Sequence, residues 1–89
     1  MRIDRARDAL IVVDLQHDFL PGGAPAVAGG DDVVAPIAAL APAFATVVAT
    51  QDWHPPGHVS FASAHPGRNP YETIGLPQGP QELWPDHCV

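Results

Sequence analysis

Aspartate and histidine recur in this 89-residue chain at spacings that suit chemistry. Asp52-Trp53-His54 sets a carboxylate and an imidazole two residues apart. In an extended segment such residues project to one side, so both can reach a single cation. His58 follows four residues later, and His87 can return to the same place from a long loop. Two imidazoles and a carboxylate make an open N/O ligand set, suited to zinc, iron or manganese, with positions left for water or substrate. The same residues also fit a plain Asp–His hydrogen bond at a strand end with surface histidines nearby.

Asp14 is the second candidate. It closes an apolar run, so burial would push its carboxyl upward and fit it for general-base work. It equally fits a carboxylate that caps loop amides around Gln16 to Phe19, a role that Asp18 also suits. Phe19 and Trp84 can stack on a flat ring or simply fill core. His17 and His65 read as exposed loop histidines. Cys88, the single cysteine, sits beside Val89 and reads as a small buried hydrophobe, not a nucleophile.

These residues need a frame. Ala9-Leu10-Ile11-Val12-Val13-Asp14-Leu15 is a β-branched run that predicts a strand over 9–15, buried on both faces of a parallel sheet. A loop with Pro21-Gly22-Gly23 follows. Asp31 and Asp32 offer an N-cap and an acidic first turn to a helix over about 31–44. Pro36 is tolerated in its first turn, and Pro42 ends or bends it. A second strand covers 46–53. Strand, helix, strand in this order is a βαβ unit, and ligands of open parallel sheets lie beyond the carboxyl ends of the strands. Asp14 and Asp52 both fall there. Residues 54–89 carry seven of the eleven prolines and no long periodic segment, and read as a metal-site loop partly packed by Phe61, Tyr71 and Trp84. Two strands and one helix cannot cover such a sheet, so the chain reads as the front part of a larger domain, prone to association by itself.

The formal charge of −6 comes from ten acids against four arginines, which disfavours nucleic acid and anionic lipid as partners. No apolar run is long enough to span a membrane, and the N-terminus lacks a signal-peptide core. The expectation is a cytoplasmic protein.

Three ordered motifs together carry a resemblance. Val13-Asp14-Leu15-Gln16-His17-Asp18-Phe19 with Pro21-Gly22-Gly23-Ala24, then Gln51-Asp52-Trp53-His54-Pro55 with His58, then Leu83-Trp84-Pro85-Asp86-His87-Cys88-Val89, resemble the nicotinamidases of the isochorismatase-like cysteine hydrolase superfamily. The resemblance implies the N-terminal part of a three-layer α/β/α fold with a mostly parallel sheet. It implies hydrolysis of nicotinamide to nicotinate and ammonia in NAD salvage, with Asp14 as the catalytic aspartate and Asp52, His54 and His87 holding one divalent metal, zinc before iron or manganese. It makes His58 either a further ligand or a group behind the ligands, and it sets Phe19 and Trp84 against the substrate ring. It leaves a homo-oligomer open for the full-length protein.

The sequence departs from the family pattern most seriously in two places, and in smaller ways at Pro25, where a leucine is more usual, and His17, often an asparagine. It contains no lysine, so the family's catalytic lysine has no counterpart here. The family's nucleophilic cysteine belongs to a later segment than Cys88. The expectation is therefore a nicotinamidase portion that does not turn over substrate by itself. The alternatives are another amide hydrolase of the superfamily and a non-enzymatic metal-binding fragment.

Overall fold

The computed structural model describes residues 1–89 and divides into two compact units, Met1–Asp52 and Trp53–Val89. No helix in it is long and apolar enough to cross a membrane.

The first unit is built on two parallel strands, β1 (Ala9–Val12) and β2 (Thr46–Ala49), in register from Ala9 opposite Thr46 to Val12 opposite Ala49. Between them run a 3-10 turn at His17–Phe19, another at Gly30–Val33, the helix α1 (Val34–Leu40) and a third turn at Ala41–Ala43. A parallel pair cannot be closed by a tight turn and needs such a crossover. Pro36 lies in the first turn of α1, where its missing N–H removes no helical bond. Pro42 lies in the 3-10 turn that ends the helix.

The observed elements are shorter than the sequence suggests. β1 stops at Val12 instead of reaching residue 15, because Asp14 adopts φ +54 and turns the chain out of the strand direction. β2 stops at Ala49 rather than 53. The helical stretch expected over 31–44 is regular α-helix only from Val34 to Leu40. Its entry is not capped by the side chains of Asp31 or Asp32. Gly29, at φ +70, takes the cap position, and both acids fall in the first turn. The strand residues are also not buried on both faces: β1 alternates exposed with half-buried residues and β2 is exposed throughout.

The second unit contains a short 3-10 turn at Ala62–Ala64 and an antiparallel hairpin of β3 (Thr73–Leu76) and β4 (Gly79–Glu82). This hairpin lies inside the stretch expected to be loop. Pro80 in β4 has no N–H to offer, which suits a two-stranded sheet whose outer edges need no partner. The hairpin is extended by Tyr71 N–H donating to the Leu83 carbonyl (2.6 Å) and Leu83 N–H donating to the Glu72 carbonyl (2.7 Å). Phe61 and Trp84 then pair as an isolated parallel bridge. Phe61 and Leu83 are fully buried and form the centre of this unit with Ala62 and Cys88.

Candidate metal centre and catalytic acid

One ligand atom each from Asp52, His54 and His87 lies within 4.8 Å of the others. Asp52 and His54 are two apart in the chain, the spacing that extended backbone projects to one side. His87 is delivered by the segment that follows the hairpin. It is buried, and its ring centroid lies 4.9 Å from that of His54 and 5.4 Å from that of Phe61. Phe61 thus backs two of the three donors with an apolar wall, since its centroid is also 5.2 Å from His54. The backbone adds a tie: His54 N–H donates to the Cys88 carbonyl at 2.7 Å.

The donor set fits a divalent cation. His87 Nδ1 stands 2.7 Å from the Pro85 carbonyl, which can only accept, so the proton sits on Nδ1 and Nε2 is the ring nitrogen that carries the lone pair. A histidine that gives its far N–H to a backbone carbonyl is the usual orientation of a metal ligand. His58 is arranged the other way. Its Nδ1 accepts the Ser60 N–H at 3.2 Å and lies 2.7 Å from Ser60 Oγ, so the neutral ring carries its proton on Nε2. His58 is near the group, 4.9 Å from the His54 ring centroid, but in this state it presents a donor and not a lone pair.

Asp14 is held by Thr50. The Thr50 hydroxyl donates to Asp14 Oδ1 at 2.8 Å and accepts the Asp14 N–H at 3.1 Å, while the same N–H lies 3.2 Å from the Thr50 carbonyl. Asp14 and Phe19 both line an apolar groove of about 350 Å³ that also includes Leu20, Val27, Val33 and Ile37. The turn that presents Phe19 depends on Gly23, where a Cβ would collide with the backbone carbonyls of His17 and Asp18. Trp84 stands half-buried, edge-on to Tyr71 at 5.9 Å. His65 donates Nε2–H to the Val59 carbonyl at 2.7 Å, which gives it a local structural partner. Cys88 is buried, in line with the sequence reading, although φ +51 makes its backbone left-handed and not extended.

The comparisons with known proteins agree with the motifs. A nicotinamidase of Acinetobacter baylyi is 56% identical over 90 residues, covering 100% of this chain and 42% of that protein. A nicotinamidase of Escherichia coli is 49% identical over 85 residues, covering 91% of this chain and 39% of the relative. Among solved structures, an Acinetobacter baumanii nicotinamidase pyrazinamidase superposes with a TM-score of 0.81 at 51% identity, over 99% of this chain and 42% of that one. The yeast nicotinamidase gives 0.77 at 38% identity, over 91% and 44%. The chain is similar in sequence and structure to part of each of these nicotinamidases. It spans about two fifths of the length of the relatives it matches. No family model matches the sequence.

In this chain the three expected ligands come together, and Asp14 and Phe19 share one groove. Two participants escaped the sequence reading. Thr50, which grips Asp14, lies in the predicted second strand, and Gln16, which bonds the Asp52 backbone, lies in the first motif. Nothing in their type or spacing marks them, because their partners are 36 residues away.

Proposed function

We propose that this chain carries the metal-binding half of the machinery of a nicotinamidase, which hydrolyses nicotinamide to nicotinate and ammonia in the cytoplasm. The observation that carries the reading is the Asp52–His54–His87 group, which lies in motifs of a chain 56% identical to a nicotinamidase. Asp52, His54 and His87 are the ligands of one divalent ion, zinc before iron or manganese. When bound, that ion supplies orientation by taking the pyridine nitrogen of the substrate. His58, with Nε2 protonated, serves behind the ligands.

The residues of the chain divide the remaining work. Phe19 and Trp84 offer flat apolar faces to the ring, and Asp14 exchanges a proton with the attacking thiol. A thiolate attacking an amide needs such a base and an oxyanion site. Neither the thiol nor the lysine of the family is among these residues. Cys88 does not supply it: the residue is buried and follows the metal histidine directly. The three-layer arrangement and any oligomer belong to the complete protein.

The test compares the 89-residue chain with a completed chain, in which it is joined to the downstream part of the Acinetobacter baylyi relative. Both receive nicotinamide and zinc, and ammonia is followed. The completed chain turns over and the 89 residues do not. Asp14→Asn in the completed chain lowers kcat/KM by about 10²–10⁴-fold, and Cys88→Ala leaves turnover in place. Ammonia release by the 89 residues, abolished by Cys88→Ala, would overturn the assignment of roles.

A further inference from the structure

The ladder between the parallel strands continues past their formal ends. Thr50 N–H donates to the Val12 carbonyl at 2.9 Å, and the Thr50 carbonyl accepts the Asp14 N–H at 3.2 Å. In a parallel pair each such residue bonds to two residues of its neighbour that are two apart. The next residue of the second strand to face the first is therefore Asp52. Regular pairing would give its N–H the Asp14 carbonyl and its carbonyl the Gln16 N–H.

That pairing is not made by the backbone. Asp14, at φ +54, has turned the chain away. Both bonds are made instead by one side chain: Asp52 N–H donates to Gln16 Oε1 at 2.7 Å, and Gln16 Nε2 donates to the Asp52 carbonyl at 2.9 Å. A primary amide carries the donor and acceptor of a peptide group, and here it stands where a peptide group would. The Gln16–Asp52 pair is half-buried, so competition from water is reduced.

We infer that Gln16 is the positioning residue of the metal centre: its carboxamide, acting as a substitute strand, fixes the backbone from which the Asp52 carboxylate projects. The inference rests on the reading of Asp52 as a ligand. It explains how one chain can turn Asp14 out of the sheet and still tie down both polar groups of the Asp52 backbone. A residue that lacks either the donor or the acceptor releases one side of the Asp52 peptide. A shorter amide cannot span the gap.

The experiment measures zinc affinity of the 89-residue chain by competition with a chromophoric chelator, and records the d–d absorption spectrum of the cobalt(II)-loaded chain. Gln16→Met, of similar length but with neither bond, and Gln16→Asn, an amide one methylene short, are compared with the parent and with His17→Ala as a neighbouring control. Both Gln16 variants bind zinc about 10–100-fold more weakly, the range found when a residue orienting a ligand is removed. Their cobalt spectra change, and His17→Ala matches the parent. If Gln16→Met does not fold, judged by thermal unfolding without metal, Gln16→Asn decides the matter. Parent-like affinity in a folded Gln16 variant overturns the positioning role and leaves the ligand reading intact. So does weaker binding with an unchanged cobalt spectrum, which would reflect stability alone. A parent chain that takes up neither metal overturns the ligand reading itself, and this inference with it.

Discussion

The two units of the chain invert the usual relation between regularity and burial. Met1–Asp52 holds the parallel strands and the helix, yet none of its residues is buried; Ile11 and Val13 are 61% and 69% exposed. Trp53–Val89 is irregular apart from one hairpin, yet it contains every buried residue: Ser60, Phe61, Ala62, Leu83, His87 and Cys88. Hydrogen bonding sets the elements of the first unit, and apolar burial sets the second. The candidate ligand His87 belongs to the buried group, in the unit with less secondary structure.

The contrast breaks most sharply at Phe61. Phe61→Ala removes the central side chain of the second unit and costs about 3–5 kcal/mol, a large share of the stability of any small domain. The expected result is loss of the unfolding transition followed by Trp84 fluorescence, and loss of His87 from the metal group. A variant that keeps the parent transition would show that the centre lies elsewhere.

A smaller effect sharpens the comparison from the other side. Ile11→Thr and Val48→Thr, on exposed strand positions, change the stability of the 89-residue chain by no more than about 0.5 kcal/mol. In the completed chain, where other segments cover the strands, the same changes cost about 1–3 kcal/mol. Denaturant titration of both forms checks this, and sedimentation shows whether the threonines reduce association of the short form. Equal costs in the two forms would mean that the faces stay open.

The smallest effect concerns Glu72. The Asn69 side chain, 3.0 Å away, and then Arg68, at 3.5 Å, hold its carboxyl below the usual value. A lowered carboxyl stabilises the fold above its unfolded pKa, and the contribution is lost as pH falls through the folded one. Glu72→Gln therefore flattens the acid limb of the stability curve slightly, and solvent screening at this partly exposed position keeps the change small. A difference between the two proteins that does not shrink as pH falls from neutral to acid would contradict the pairing.

Much of the first unit is legible in the sequence because hydrophobic periodicity and chain order act locally. The β-branched run at 9–13, the apolar spacing around α1 and the acids after each strand place Asp14 and Asp52 without any structure. The first strand is shorter than its apolar run because apolar type does not report the left-handed turn at Asp14. Expected burial was also too high, since it depends on what packs against the strands. The hairpin was hidden by Gly75, Gly79 and Pro80, although Ile74 and Leu76 alternate before a Pro-Gln-Gly turn. Gln16 and Thr50 were invisible for a different reason: a side chain that bonds backbone leaves no pattern in residue types.

Trp53, 75% exposed, stands between two of the candidate ligands, while Trp84 is half-buried against Tyr71. The protein thus carries two optical labels in unlike surroundings. A dissolved quencher reaches the first indole and largely spares the second. Emission from one reports the ligand stretch and emission from the other reports the apolar centre. Metal loading and unfolding can therefore be recorded as separate signals from an unlabelled sample.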